Sequence, residues 1–320
     1  MVQISGVNDR FLQKEVVLSE IMRILEPELV FEGIIPYVDS GGEPVTYMQK
    51  NSKSSDAKKQ LPRMMTPSSK FPEVEITRMT KKSAILNQEG LAIRLDQDAI
   101  KKKAGVDMIM DAFNTVGFWL AEYVNGKIYD TLRAGGTDAG MSPTSQWSVE
   151  ATATPMKDCR VFKNAMKREG YPYRCTDIYV DMTNFSEMEA FLTASDIPAY
   201  REAAMNGGDG DSMILPMPGK PTLHGLFSSV THGDLFGLDR NHPGSSLYYN
   251  NDEQFSTPTI TYETFGNAVN STPVTKTVKN FGLSTHRFFE DDTHDTVIQI
   301  WMDYVVVTRD AYSVIKDDGI

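Results

Sequence analysis

The sequence predicts an α+β fold. Three observations predict it. Amphipathic helical patterns concentrate in the first half of the chain, short strand-like runs separated by turn signals fill much of the second, and a long strand, Val297 to Val307, comes near the end. With 320 residues there is enough chain for a sizeable core and about two domains. A composition of 40% hydrophobic and 23% charged residues is that of a folded protein rather than a disordered one.

Taken in order, Asp9 to Glu26 reads as an amphipathic helix, with Val17, Leu18, Ile21, Ile24 and Leu25 at helical spacing and Pro27 as its stop. An apolar strand is expected over Leu29 to Val38, then a turn at Gly41-Gly42. Strand-like runs follow at Pro44 to Met48, Glu73 to Met79 and Ala84 to Leu95. Between the first two, Gln49 to Lys70 is polar and carries no periodicity. A structureless stretch of about 20 residues is uncommon inside a compact domain.

Asp98 to Leu132 predicts a long helix. Ile109, Phe113, Val116, Leu120, Val124, Ile128 and Leu132 recur at steps of three and four, Asp96 or Asp98 can cap the start, and Gly135-Gly136 ends it. A second helix runs from the N-cap Thr154, with Pro155 at its first position, to Gly170; Met156, Cys159, Phe162 and Met166 form its buried stripe. A strand at Asp177 to Met182 precedes a short helix through Leu192, whose Asn184 and Glu187 match a capping box. Ser195 to Pro221 reads as loop, and Thr222 to Val278 as short strands between turns.

Charge is the most unusual feature. The chain carries −11, yet Lys50 to Lys82 holds nine basic residues against three acidic ones. That is +6 on one segment and −17 on the rest. The segment is either a solvated hairpin or an arm that docks on an acidic surface of another copy, where opposite charge steers association and fixes register. The candidate docking residues are Lys50, Lys53, Lys58, Lys59, Arg63 and Lys70.

No chemistry-bearing motif stands out. There is no Walker loop, dinucleotide fingerprint or nucleophile elbow. Cys159 and Cys175 are too few for a disulfide framework and read as reduced thiols, Cys159 as core. None of the five histidines has zinc-helix spacing. The Gly207 to Asp211 loop lacks the alternating ligands of a calcium loop. Asp291, Asp292 and Asp295 beside His294 leave a hydrolase site open as an alternative to a solvated turn. No apolar run suits a signal peptide or a membrane span. The expectation is a protein with no catalytic site, no metal and no cofactor.

The order of these elements resembles the major capsid proteins of tailed double-stranded DNA viruses, whose fold is named after coliphage Hong Kong 97. Lys82 to Ile93 is similar to the returning strands of that family's extended loop, and runs into Asp96 to Ile100 and the spine helix as it does there. Leu120 to Leu132 resembles the second half of the spine helix, Trp147 ahead of the Pro155 to Gly170 helix resembles the peripheral (P) domain, and Asp295 to Tyr312 resembles the strand returning to it from the axial (A) domain. The resemblance implies an N-terminal arm at 1–42, an extended loop at 43–95, a P-domain with spine helix at 96–175, an A-domain at 176–290, a return strand at 291–308 and a tail at 309–320. It further implies self-assembly into hexamers and pentamers of an icosahedral head that encloses DNA without reading its sequence. The chain shows no long N-terminal helical delta domain, which implies a separate scaffolding protein; a portal and decoration proteins are further partners. The location would be the virion, after synthesis in the host cytoplasm and with no membrane. An encapsulin-like nanocompartment shell is the alternative within the same fold.

Overall fold

The computed structural model describes residues 13–42, 44–50, 79–96, 105–140, 147, 153–168, 173–205, 212–226, 234–264, 274–290 and 295–318. In chain order the elements are α1 (Lys14–Glu28), β1 (Tyr37–Asp39), β2 (Val45–Lys50), β3 (Met79–Ala84), β4 (Asn87–Asp96), α2 (Gly105–Gly135), β5 (Thr137–Asp138), α3 (Pro155–Arg168), β6 (Asp177–Asp181), α4 (Met182–Ala194), α5 (Pro198–Met205), β7 (Ser212–Ile214), β8 (Thr222–Leu226), β9 (Asp234–Leu238), β10 (Ser245–Asn250), β11 (Thr259–Thr264), β12 (Val274–Lys279), β13 (Leu283–Glu290), β14 (Asp295–Thr308), a 3-10 turn (Ala311–Ser313) and β15 (Val314–Asp318). The mixture is α+β.

The chain divides into two compact units. One comprises Met1–Val45, Ser83–Asn125 and Leu247–Val306; the other comprises Thr46–Lys82, Gly126–Ser246 and Val307–Ile320. Asn125 and Gly126 part the long helix between the two units, and 247–290 falls with its first part. Sheet pairing gives the reason, since β10 and β13 both pair with β14.

The first unit is built on β14. It carries β4 antiparallel from Asp295–Asp96 to Tyr304–Asn87, carries β13 antiparallel from Glu290–Asp295 to Leu283–Met302, and continues through β10 to β1. Val297, Ile298, Ile300 and Met302 are buried, and because Val297 and Ile298 point to opposite faces, this stretch of β14 is covered on both sides. Helix α1 buries Val17, Leu18, Ile21, Met22 and Leu25, each worth about 1.5–3 kcal/mol of transfer free energy. It approaches α2 closely at Gly117, where an added Cβ would stand 3.0 Å from Ile24 Cβ. Pro27 does not stop α1; it sits in the last turn, and Asn125 Nδ2 donates to the Glu28 carbonyl at 2.7 Å.

The expected strand over Leu29 to Val38 shrinks to Tyr37–Asp39. Gly33 takes φ +72°. Turn bonds from Glu32 N to Leu29 O (3.2 Å) and Ile34 N to Phe31 O (3.1 Å) coil the segment instead. Leu29, Phe31, Ile34 and Ile35 are still buried, so an apolar run that read as a strand is a coiled plug.

The second unit holds a six-stranded sheet in the order β5-β15-β9-β6-β8-β7. One face packs under α3, α4 and α5 in a core of Met156, Cys159, Phe162, Ile178, Val180, Met188, Leu192, Leu223 and Ile315, with Tyr200 of α5 against it. On the other side of β6, the Phe236 ring meets both Tyr179 and Tyr129 of α2, each pair of ring centroids 5.6 Å apart. Three expectations are corrected here. The cap of α4 is Asp181, not Asn184: its side chain accepts from Thr183 N at 2.9 Å and Asn184 N at 3.1 Å. Part of the segment expected as loop forms α5, started by Pro198. The expected tail at 309–320 contains β15, paired to β9 and β5 with Val314 and Ile315 buried.

Candidate functional site

The structure places the root of the basic arm but not its middle. Of the six docking candidates, Lys53, Lys58, Lys59, Arg63 and Lys70 lie outside the described residues. Lys50 is described, and it is engaged within its own chain. Its Nζ is 3.1 Å from Asp310 Oδ2 and donates to the Tyr173 hydroxyl at 3.1 Å. Tyr173 in turn donates to Asp310. The Lys50 amide donates to the Arg309 carbonyl at 2.7 Å, and Gln49 Nε2 to the Thr308 carbonyl at 3.2 Å. Burial alone depresses the Lys50 ammonium. The hydrogen bonds it donates to the phenol oxygen and the carboxylate outweigh that and leave its pKa above the ordinary lysine value.

Beyond this anchor, β2 and β3 form a two-stranded ribbon. Strand β3 is exposed from Met79 to Ser83, and Met48 and Met79 are about half exposed. A two-stranded ribbon with apolar side chains in water is marginal alone. Among the described residues little covers this ribbon where the chain turns into β4.

A second surface lies in the first unit, where β4 passes α2. Gln88, Glu89, Gly90, Leu91, Trp119, Leu120 and Tyr123 line a cleft of about 490 Å³. Leu120 belongs to the buried stripe of α2, whereas Phe118, Trp119 and Tyr123 are exposed, Trp119 at 55%. Glu89 accepts from the Tyr304 hydroxyl at 2.7 Å, which fixes one wall. The sequence held the signal: Trp119 and Tyr123 are four residues apart and off the buried stripe, so they share an outward face. A large exposed aromatic patch marks an interaction surface.

The groups with catalytic potential have structural partners instead. Asp177 is buried at the start of β6; it accepts from His224 Nε2 at 3.0 Å and from the Thr176 hydroxyl at 2.7 Å, and is bonded by the Arg240 guanidinium. Burial raises its pKa, but those three donors overcome that and hold it below the ordinary aspartate value. Its geometry is a clamp joining β6, β8 and the turn after β9. The His224 ring stacks on Tyr179 at 4.8 Å. Cys159 and Cys175 are free and buried, and burial pushes both thiols upward, away from reactive thiolate. Of the acidic cluster near the end, only Asp295 is described, as the first residue of β14; Asp291, Asp292 and His294, like Gly207 to Asp211, lie outside the described residues. Among the described residues no group of His, Cys, Asp or Glu is placed to hold a metal, and no helix is long and apolar enough to cross a membrane.

By sequence, no protein-family model and no curated protein matches the chain. By structure, it is similar to the virus-like particle protein of Pyrococcus furiosus, with a TM-score of 0.54, 6% identity and coverage of 94% of this chain and 98% of the other. It is similar to the encapsulin in the holo-SrpI complex of Synechococcus elongatus, with a TM-score of 0.53, 9% identity and coverage of 99% and 96%. The capsid protein of a native GTA particle gives 0.53, 8%, 91% and 90%. Identities this low speak to fold alone, and the fold is that of shell subunits. It is the Hong Kong 97-type fold, spanning nearly the whole chain.

Proposed function

We propose that this chain is a major capsid protein of a tailed virus, self-assembling through hexamers and pentamers into an icosahedral head around double-stranded DNA. The observation that carries the reading is the match of almost the entire chain, without a large unmatched insertion, to folds whose solved examples are shells. The charge split supports it: a +6 segment on a chain otherwise at −17 suits a subunit that reaches onto its neighbour. The body is acidic and does not grip packaged DNA through clustered cations. Shell building needs no reaction, so the protein acts by closed symmetry and many modest identical contacts. Within this reading 96–175 with the return strand 291–308 is the P-domain, 176–290 is the A-domain, and the partners are a scaffolding protein, a portal and decoration proteins. The protein resides in the virion after synthesis in the host cytoplasm.

The equal similarity to an encapsulin favours a second reading, a nanocompartment shell. Electron microscopy of the purified chain, alone and with scaffold candidates encoded beside it, tests both. Closed particles are expected. Small soluble monomers under every assembly condition would sink the shell reading. Particles that form from the chain alone around a protein cargo would replace the viral reading with the nanocompartment one.

A further inference from the structure

The outward face of α3 is a basic stripe with no ion-pair partner among the described residues. Lys157, Arg160, Asn164 and Lys167 follow one another at steps of three, four and three, which keeps them on one side of the helix. Lys157, Arg160 and Lys167 are exposed, while Met156, Cys159, Phe162 and Met166 opposite them fill the core. None of the three cations lies within ion-pair distance of a carboxylate among the described residues. Lys163, buried at the foot of the stripe, donates to the Pro218 carbonyl; burial lowers its pKa, and Lys167 and Arg160 lower it further. Their positive field therefore reaches into the helix they stand on.

The far side of the same helical layer is acidic. Helix α3 lies over β15, α5 lies beside the edge strand β7, and α4 lies between them over β6 and β8. Glu189 at the α4 surface, Asp196 in the link and Glu202 on α5 are all exposed. The one cation described among them, Arg201, is bonded to the Ser195 carbonyl at 2.7 Å and to Asp196 at 3.3 Å. One layer thus shows three cations on α3 and three carboxylates along α4, the link and α5. Such a layer is complementary to a copy of itself placed head to tail, the arrangement that closes rings.

We infer that the α3 stripe docks on the α4–α5 flank of an adjacent copy of this chain, forming a charge-matched ring contact separate from the basic arm. The inference rests on the shell reading. Opposite charge on the same layer favours a second copy over packaged nucleic acid, as does the net charge of −11.

The test has two parts, both using the full chain. In assembled wild-type particles made from a mixture of isotopically light and heavy subunits, carbodiimide should join Lys157 or Lys167 to Glu189, Asp196 or Glu202 in mixed-label crosslinks. Particles lacking those crosslinks overturn the ring contact but leave the shell reading intact; a wild-type chain that never forms particles overturns both. The triple variant Lys157→Glu, Arg160→Glu, Lys167→Glu should lower shell yield about tenfold or more, because juxtaposed like charges are costly, while circular dichroism stays native. Adding Glu189→Lys, Asp196→Lys and Glu202→Lys should restore it. Wild-type yield from the first triple variant, yield that the second triple fails to restore, or normal shells that retain less nucleic acid each overturn the contact, the last in favour of nucleic acid.

Discussion

At the scale of single residues, the clearest energetic unit is Asp177. Three donors converge on one buried carboxylate, so an amide in its place keeps one acceptor oxygen but removes the charge that holds Arg240 and strengthens the bonds from His224 and Thr176. Arg240 is about half exposed and water recovers much of its loss. Asp177→Asn should therefore cost about 1–3 kcal/mol at neutral pH. The sign with pH follows from the depressed pKa. The contribution is present above the ordinary aspartate pKa near 3.9 and is lost as pH falls through the lower folded value. Urea denaturation of both proteins from pH 7 to about pH 3 should show the gap closing toward the acid end; a gap that stays constant would refute the clamp. Lys50 makes a companion case at the root of the arm. Lys50→Met removes both the ion pair to Asp310 and the bond to Tyr173, and amide exchange at Lys50 and Arg309 should speed up by about tenfold, the equivalent of roughly 1.4 kcal/mol. Exchange unchanged by the substitution would mean that the backbone bridge alone holds the arm's root.

At the scale of elements, legibility followed locality. The stripe of α2 was readable because seven residues from Ile109 to Leu132 repeat at helical spacing, and all seven are buried. The stripe of α3 was readable for the same reason. Leu29 to Ile35 was misread because apolar content without alternation does not separate a strand from a coiled segment, and one left-handed glycine decides between them. Helix α5 was hidden because eight residues carry too little periodicity, and β15 because its partners β9 and β5 are remote in sequence. The Lys50 anchor was out of reach for that reason too, since Asp310 is 260 residues away. The outward aromatic pair Trp119 and Tyr123 was in plain view, and a helical projection of α2 would have isolated it. Strand β4 offers a test at this scale. Gly90 sits opposite Trp301 in the β4–β14 ladder, and an added methyl would fall on the Ile300 carbonyl oxygen and on Trp301. Gly90→Ala should push β4 off β14 locally, cost about 1–3 kcal/mol, and reshape the cleft that Gly90 and Trp119 share. Trp fluorescence and thermal melting measure both, and a variant with wild-type stability would show that the ladder yields without cost.

At the scale of the whole molecule, the question is what a +6 arm does on a chain of −11. Lys50 is held by Asp310, so it anchors the arm rather than reaching outward, and the docking proposal narrows to Lys53, Lys58, Lys59, Arg63 and Lys70. If these residues steer one copy onto the acidic surface of another, reversing their charge converts attraction into repulsion at every equivalent contact of a shell. Each contact is modest, but they multiply with copy number, so a change that is small in one pair becomes decisive for closure. Lys53→Glu, Lys58→Glu, Lys59→Glu and Arg63→Glu together should abolish particles in sedimentation and electron microscopy while circular dichroism and monomer melting stay native. Wild-type assembly should also weaken as salt rises, because a Debye length of about 8 Å at physiological ionic strength shortens further and screens exposed charges. Shell yield unchanged in the quadruple variant, at low salt as well as high, would remove the arm from assembly and leave the α3 contact and the aromatic cleft beside β4 as the surfaces that join copies.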